Sequence, residues 1–133
     1  MKKLVLLALL GCSAQPPTKV HYMPNVLNNL INIYDNRSRE MPICLLGNKK
    51  GDTYIIDDIK IPVIYSANNV STSFSPEICQ NKKYLGMIHN HSDYCQPSEV
   101  DINRFIHDKK AKIETIVCEV AYPDGIRLST TRK

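Results

Sequence analysis

Two stretches of this chain carry helical periodicity, and they stand far apart with strand-like runs between and after them, which limits the folds open to it. In Met23 to Tyr34, Val26, Leu27, Leu30, Ile31 and Tyr34 recur at three and four, with Pro24 tolerated in the first turn. Glu99 to Lys110 repeats the pattern through Val100, Ile102, Phe105 and Ile106. Pro42 to Leu46 and Thr53 to Ile59 flank Asn48-Lys49-Lys50-Gly51-Asp52 and read as a hairpin. Ile61 to Tyr65 continues extended, and Ala67 to Pro76 fits either a loop or an exposed strand. Tyr84 to Ile88 is a further strand, and the β-branched run Ile113 to Val120 another, which pairs with Ile126 to Ser129 across Pro123-Asp124-Gly125. This order predicts one α/β or α+β domain, a sandwich with a mixed or mostly antiparallel sheet.

At 133 residues, 43% hydrophobic and 23% charged, the chain is long and apolar enough for one core. Its net charge of +4 is scattered along the sequence, which gives no case for a nucleic acid partner. The longest apolar run, Leu4 to Leu10, is too short for a hydrocarbon layer about 30 Å thick. That run follows Lys2-Lys3 and precedes Gly11-Cys12, the order of a secretory signal. Leu9-Leu10-Gly11-Cys12 also resembles the lipobox of bacterial lipoproteins, which implies cleavage after residue 11, lipidation of Cys12, and a cell-envelope location with a lipid as the only membrane anchor. If the N-terminus is not a signal, the location is cytoplasmic. On this reading 1–11 is the signal, 12–22 an extended tether containing Pro16-Pro17, and 23–133 the domain. Removal of Lys2 and Lys3 lowers the net charge from +4 to +2. Cys44, Cys79, Cys95 and Cys118 can pair in an exported protein, and no spacing selects a pairing.

The chemistry concentrates in Met87 to Asp101. His89 and His91, two apart at a strand end, share a face, so both imidazoles can converge on one point. Asp101, in the first turn of the next helix, can return a carboxylate to that point. Two nitrogens and one oxygen make a zinc site that keeps a position for water. Ser98-x-x-Asp101 after Pro97 is also a helix start, with Ser98 as N-cap and Asp101 at the positive end of the helix dipole. Capping by Ser98 is expected to leave the Asp101 carboxylate free for ligation. A lone His-x-His is more often a surface pair than a ligand pair. His21 and His107 lack such partners and read as exposed.

His89-x-His91, Ser98-x-x-Asp101 and an upstream Glu40-Met41-Pro42-Ile43-Cys44-Leu45-Leu46-Gly47 together resemble the JAMM motif of the JAB1/MPN/Mov34 metalloprotease family, over residues 23 to 130. The resemblance implies an MPN/JAB-like, cytidine-deaminase-like mixed sheet flanked by helices. It implies one Zn2+ per chain held by His89, His91 and Asp101, with Glu40 as general acid/base and Ser98 stabilising the oxyanion. The activity implied is hydrolysis of peptide or isopeptide bonds by zinc-activated water. The alternatives are a non-catalytic MPN-like module and a metal-binding envelope lipoprotein. A protein or peptide is the substrate class, and so short a chain calls for a homodimer or a partner protein to complete recognition. Three departures stand out. Ser92 replaces the family's proline after the second histidine, and the interval from His91 to Ser98 is one residue shorter. Ile43 stands where many relatives carry Gly. Cys95 lies in the shortened loop and reads as a packed or disulfide-bonded residue in preference to an extra soft ligand or redox brake.

Overall fold

Pro24 has φ preset for a helix and no N–H to leave unpaired, and it opens the first helix, α1 (Pro24–Tyr34). Val26, Leu30 and Tyr34, one every four residues, form the buried stripe of α1. The structure, a computed structural model, describes residues 19–35, 39–62, 64–67, 72–74, 79–91, 94–121 and 125–133. The remaining elements are β1 (Lys19–Tyr22), β2 (Ile43–Lys50), β3 (Thr53–Lys60), β4 (Ile64–Ala67), β5 (Thr72–Phe74), β6 (Tyr84–Asn90), α2 (Glu99–His107), β7 (Ile113–Ala121) and β8 (Gly125–Arg132).

Six strands form one mixed sheet in the order β1-β3-β2-β6-β7-β8. The β1/β3 and β6/β7 pairs are parallel and the other three antiparallel. The two expected hairpins are β2–β3 and β7–β8, while α2 is the crossover that parallel β6 and β7 require. Alternation divides the sheet. Ile43, Leu45, Ile88, Ile113 and Val117 pack on α1 with Tyr22, Ile56 and Leu85, and each fully buried aliphatic stabilises by roughly 1.5–3 kcal/mol. Cys44, Met87 and Cys79 pack together in a second, smaller cluster. His89 and Glu114 share the Met87 side of the sheet, where α2 lies.

Gly86 sets how closely β7 approaches the site. A Cβ there would stand 1.8 Å from the Ile113 carbonyl oxygen, and its φ of +152° disfavours any L side chain. The strand pair just before His89 can therefore close only on a glycine.

Three sequence expectations change. Residues 19–22, placed at the end of a tether, instead form β1, paired in parallel with β3. Helix α2 ends at His107 and not at Lys110, because Asp108 leaves helical geometry and its carboxylate takes the Tyr84 hydroxyl and the Lys110 N–H. The undecided 67–76 segment contributes Ala67 to β4 and contains β5, which form a two-stranded hairpin. The expected signal 1–11, Cys12 and the Ala14–Thr18 stretch lie outside the described residues, as do Ser92 and Pro123-Asp124 of the expected turn. Among the described residues no helix is long and apolar enough to cross a membrane.

The four cysteines pair as Cys44–Cys79 and Cys95–Cys118. Cys44 in β2 is tied to the residues leading into β6, and Cys118 in β7 to the loop leaving β6. Cys95 is thereby excluded as a thiolate ligand, and its role is to staple the shortened loop to β7. His21 and His107 are exposed, and the His107 ring faces the Asn103 carbonyl at 2.8 Å.

Candidate metal centre

Strand β6 ends where the chain leaves the sheet, and the alternation of its last residues points His89 to the α2 side with His91 following. The Nε2 atoms of the two rings stand 3.0 Å apart, and each is 3.1 Å from Asp101 Oδ2. The three side chains are nearly inaccessible, at 3%, 4% and 6% exposure. A carboxylate oxygen of Glu40, which lies just before β2, is within 4.8 Å of a ring nitrogen of each histidine. The Tyr94 ring lies 4.3 Å from that of His91, tilted by 33°, and Tyr94 is half exposed.

Helix α2 delivers Asp101 through a capping box. Asp101 N–H donates to Ser98 Oγ at 3.1 Å and Ser98 N–H to Asp101 Oδ2 at 2.9 Å. The sequence leads to the expectation that capping leaves the Asp101 carboxylate free, and the structure corrects it, because Oδ2 itself accepts from the Ser98 N–H. The same oxygen also faces both histidine Nε2 atoms. Ser98 Oγ accepts in the cap and keeps its own O–H to donate.

Two residues not expected from the sequence support the histidines. Glu114 in β7, 3% exposed, places Oε2 3.2 Å from His89 Nδ1, and Arg104 of α2 donates to that same oxygen at 2.7 Å. Arg104 also stands 3.5 Å from Asp101 Oδ1, so one guanidinium ties both carboxylates together. A carboxylate behind Nδ1 holds the proton there and turns the Nε2 lone pair toward Asp101 and His91. The available signal was a lone glutamate inside the β-branched run Ile113-Glu114-Thr115-Ile116-Val117.

Burial alone would lower the His89 pKa, but the hydrogen bonds and charges of Asp101 and Glu114 lift it from 6.5 to about 9. Burial works on Asp101 in the opposite sense, and is outweighed by His89 and the two Ser98 hydrogen bonds, which hold the carboxyl well below the usual range. Burial and the neighbouring His89 charge push His91 down. Burial also pushes Glu40 up, offset in part by His89.

The donor set fits a zinc ion. Ligand atoms around a tetrahedral ion with bonds of about 2.0 Å stand roughly 3.3 Å apart, and here the two nitrogens and one oxygen are separated by 3.0–3.1 Å.

The chain is similar to a solved JAB1/MPN domain protein from Archaeoglobus fulgidus, at 18% identity and a TM-score of 0.53, covering 89% of this chain and 90% of that one. A second solved structure, described as a metalloprotease-like zinc site in the proteasome and signalosome, aligns at 21% identity and a TM-score of 0.45, covering 85% of this chain and 86% of that one. No protein-family model and no curated protein matches the sequence. The fold is that of a JAB1/MPN domain, a mixed sheet flanked by two helices.

Proposed function

We propose that the protein is a zinc-dependent hydrolase of peptide or isopeptide bonds. The observation that carries this reading is the cluster of His89 Nε2, His91 Nε2 and Asp101 Oδ2 at 3.0–3.1 Å, with a Glu40 carboxylate oxygen within 4.8 Å of both rings. Zinc bound by these three donors would act as a Lewis acid, drawing the pKa of water toward about 7 and polarising a carbonyl. Glu40 accepts the proton of the attacking water and returns it to the leaving nitrogen, so the carboxylate is regenerated. Burial raises its pKa toward the range where one group serves as both base and acid. Ser98 O–H donates to the carbonyl oxygen as charge develops there. The C–N bond breaks, leaving a carboxylate and an amine.

Metal analysis and digestion of a peptide library by wild type and Glu40→Gln, with and without chelator, test this. We expect about one zinc per chain, chelator-sensitive cleavage, and a loss of roughly 100-fold or more in Glu40→Gln. Undiminished cleavage by zinc-loaded Glu40→Gln refutes the mechanism. A metal-binding lipoprotein without catalysis predicts bound zinc and no cleavage by either form.

The site of action in this proposal is the bacterial cell envelope, with a lipid on Cys12 as the anchor and residues 12–133 as the mature chain. Lys2-Lys3, Leu4 to Leu10 and Gly11-Cys12 support that location, and so do two disulfides of the kind an oxidising compartment sustains. Cys12→Ala should move the protein out of the membrane fraction. The substrate would be a peptide or protein, recognised with the help of a homodimer or partner chain.

A further inference from the structure

We propose that Asn90, the residue between the two histidines, is a positioning residue for Glu40: its side-chain amide holds the peptide groups on both sides of Glu40 and so sets where that carboxylate stands. The inference rests on the proton-transfer role proposed for Glu40.

The β2/β6 ladder ends at the Ile43–Ile88 pair. Pro42, next back along the chain, has no N–H, so backbone pairing cannot run through it. Beyond the proline the Asn90 side chain takes over. Met41 N–H donates to Asn90 Oδ1 at 2.8 Å, and Asn90 Nδ2 donates to the Arg39 carbonyl at 3.0 Å. The Arg39 carbonyl belongs to the peptide that precedes Glu40 and the Met41 N–H to the peptide that follows it. Fixing both peptide planes fixes φ and ψ of Glu40 and therefore the direction of its Cα–Cβ bond. Tyr34 adds a third anchor, its hydroxyl donating to the Met41 carbonyl at 2.6 Å and standing 3.3 Å from the Ile88 carbonyl.

Strand alternation explains how a residue between two ligands can do this. His89 is directed to the α2 side, whereas Asn90 is on the α1 side, the side of Ile88 and Tyr34, and does not compete for the metal. Asn90 is 8% exposed, so water does not replace a lost hydrogen bond cheaply. Residues 39–42 belong to no strand or helix, so Asn90 and Tyr34 supply the restraint that regular structure would otherwise give.

Asn90→Leu removes both hydrogen bonds at similar size, and Asn90→Asp keeps the acceptor for Met41 while losing the donor to Arg39. Three readouts on the zinc-loaded proteins separate positioning from general damage. Met41 amide exchange should speed up about tenfold or more in Asn90→Leu and less in Asn90→Asp, as expected for a buried hydrogen bond removed wholly or in part. Zinc affinity should stay within about threefold of wild type, since no donor atom changes. On a library-derived peptide, kcat should fall by about 10–100-fold with KM nearly unchanged, the effect of a misplacement near 1 Å. Unchanged Met41 exchange, or unchanged kcat in a protein whose Glu40→Gln form is inactive, overturns the inference. Loss of zinc in step with activity overturns it too, because Asn90 would then support the ligands. If Asn90→Leu fails to fold, Asn90→Asp and Asn90→Ser are read by the same criteria. Full activity in Glu40→Gln is a separate outcome that strikes the proposed function and leaves the exchange result standing.

Discussion

Glu114→Gln preserves the shape of a buried side chain and removes its charge, which isolates what that charge does for His89. Glu114 Oε2 stands 3.2 Å from His89 Nδ1 and 2.7 Å from an Arg104 nitrogen. Against burial, which alone would lower it, the His89 pKa is carried from 6.5 to about 9 by Asp101 and Glu114. At about 1.36 kcal/mol per pH unit, a shift of this size represents roughly 3 kcal/mol of folding stability in the metal-free protein. Burial opposes the shift, so Asp101 and Glu114 together supply more than this net figure, and the part held by Glu114 is at least roughly 1–2 kcal/mol. The folded-state pKa is raised, so the stabilisation is complete below pH 6.5 and is lost as the pH climbs through about 9.

Urea unfolding of the metal-free proteins at pH 6 and pH 9.5 reads this directly. The variant should be less stable by at least roughly 1–2 kcal/mol at pH 6, with a smaller gap at pH 9.5. Some of the gap should persist, because the Arg104 partner at 2.7 Å becomes a neutral amide oxygen, leaving Asp101 at 3.5 Å as its charged partner in this cluster. Zinc affinity, measured by competition with a chromophoric chelator, should fall about 10–100-fold, the usual effect of removing the carboxylate behind a ligating imidazole. Equal stability at pH 6 together with unchanged zinc affinity would refute the view that Glu114 sets the charge and tautomer of His89.

Two further outcomes follow from the same geometry. Zinc must displace the proton that His89 holds up to about pH 9, so apparent affinity should rise by about tenfold per pH unit below that value and flatten above it. Calorimetry in buffers of different ionisation enthalpy should count about one proton released per zinc near pH 7, and a flat affinity from pH 7 to 9 contradicts this. The disulfides should separate stability from metal binding. The 35-residue and 23-residue spans closed by Cys44–Cys79 and Cys95–Cys118 each correspond to about 3–4 kcal/mol of loop entropy. Removing either pair as a double Ser variant should destabilise comparably, but only Cys95→Ser with Cys118→Ser should weaken zinc, because that staple holds the loop leading to Ser98 and Asp101. Equal zinc affinities in the two variants count against that role.

What could be read from the sequence was what a short range of chain determines. The helical stripes of α1 and α2 and the cap at Ser98 are local patterns, and His89, His91 and Asp101 lie within thirteen residues of one another, so their convergence needed only a strand end and a helix start. Strand β1 was missed because Lys19–Tyr22 offers four residues, of which only Tyr22 is buried, after a proline pair that reads as tether. The end of α2 was overrun because Lys109 and Lys110 are good helix formers, while the partner that draws Asp108 away is Tyr84, 24 residues earlier. The cysteine pairing and the role of Glu114 share one cause. Both depend on β6 lying between β2 and β7, with Met87 opposite Glu114 and His89 opposite Ile116. That strand order sets Glu114 diagonally behind His89, and a count along the chain contains no such neighbour relation. Glu114 in an otherwise apolar run was the visible trace of it. A buried carboxylate has to meet a cation or a donor, and the nearby sequence that supplies both is His89 to Arg104, with the imidazole at one end and the guanidinium at the other.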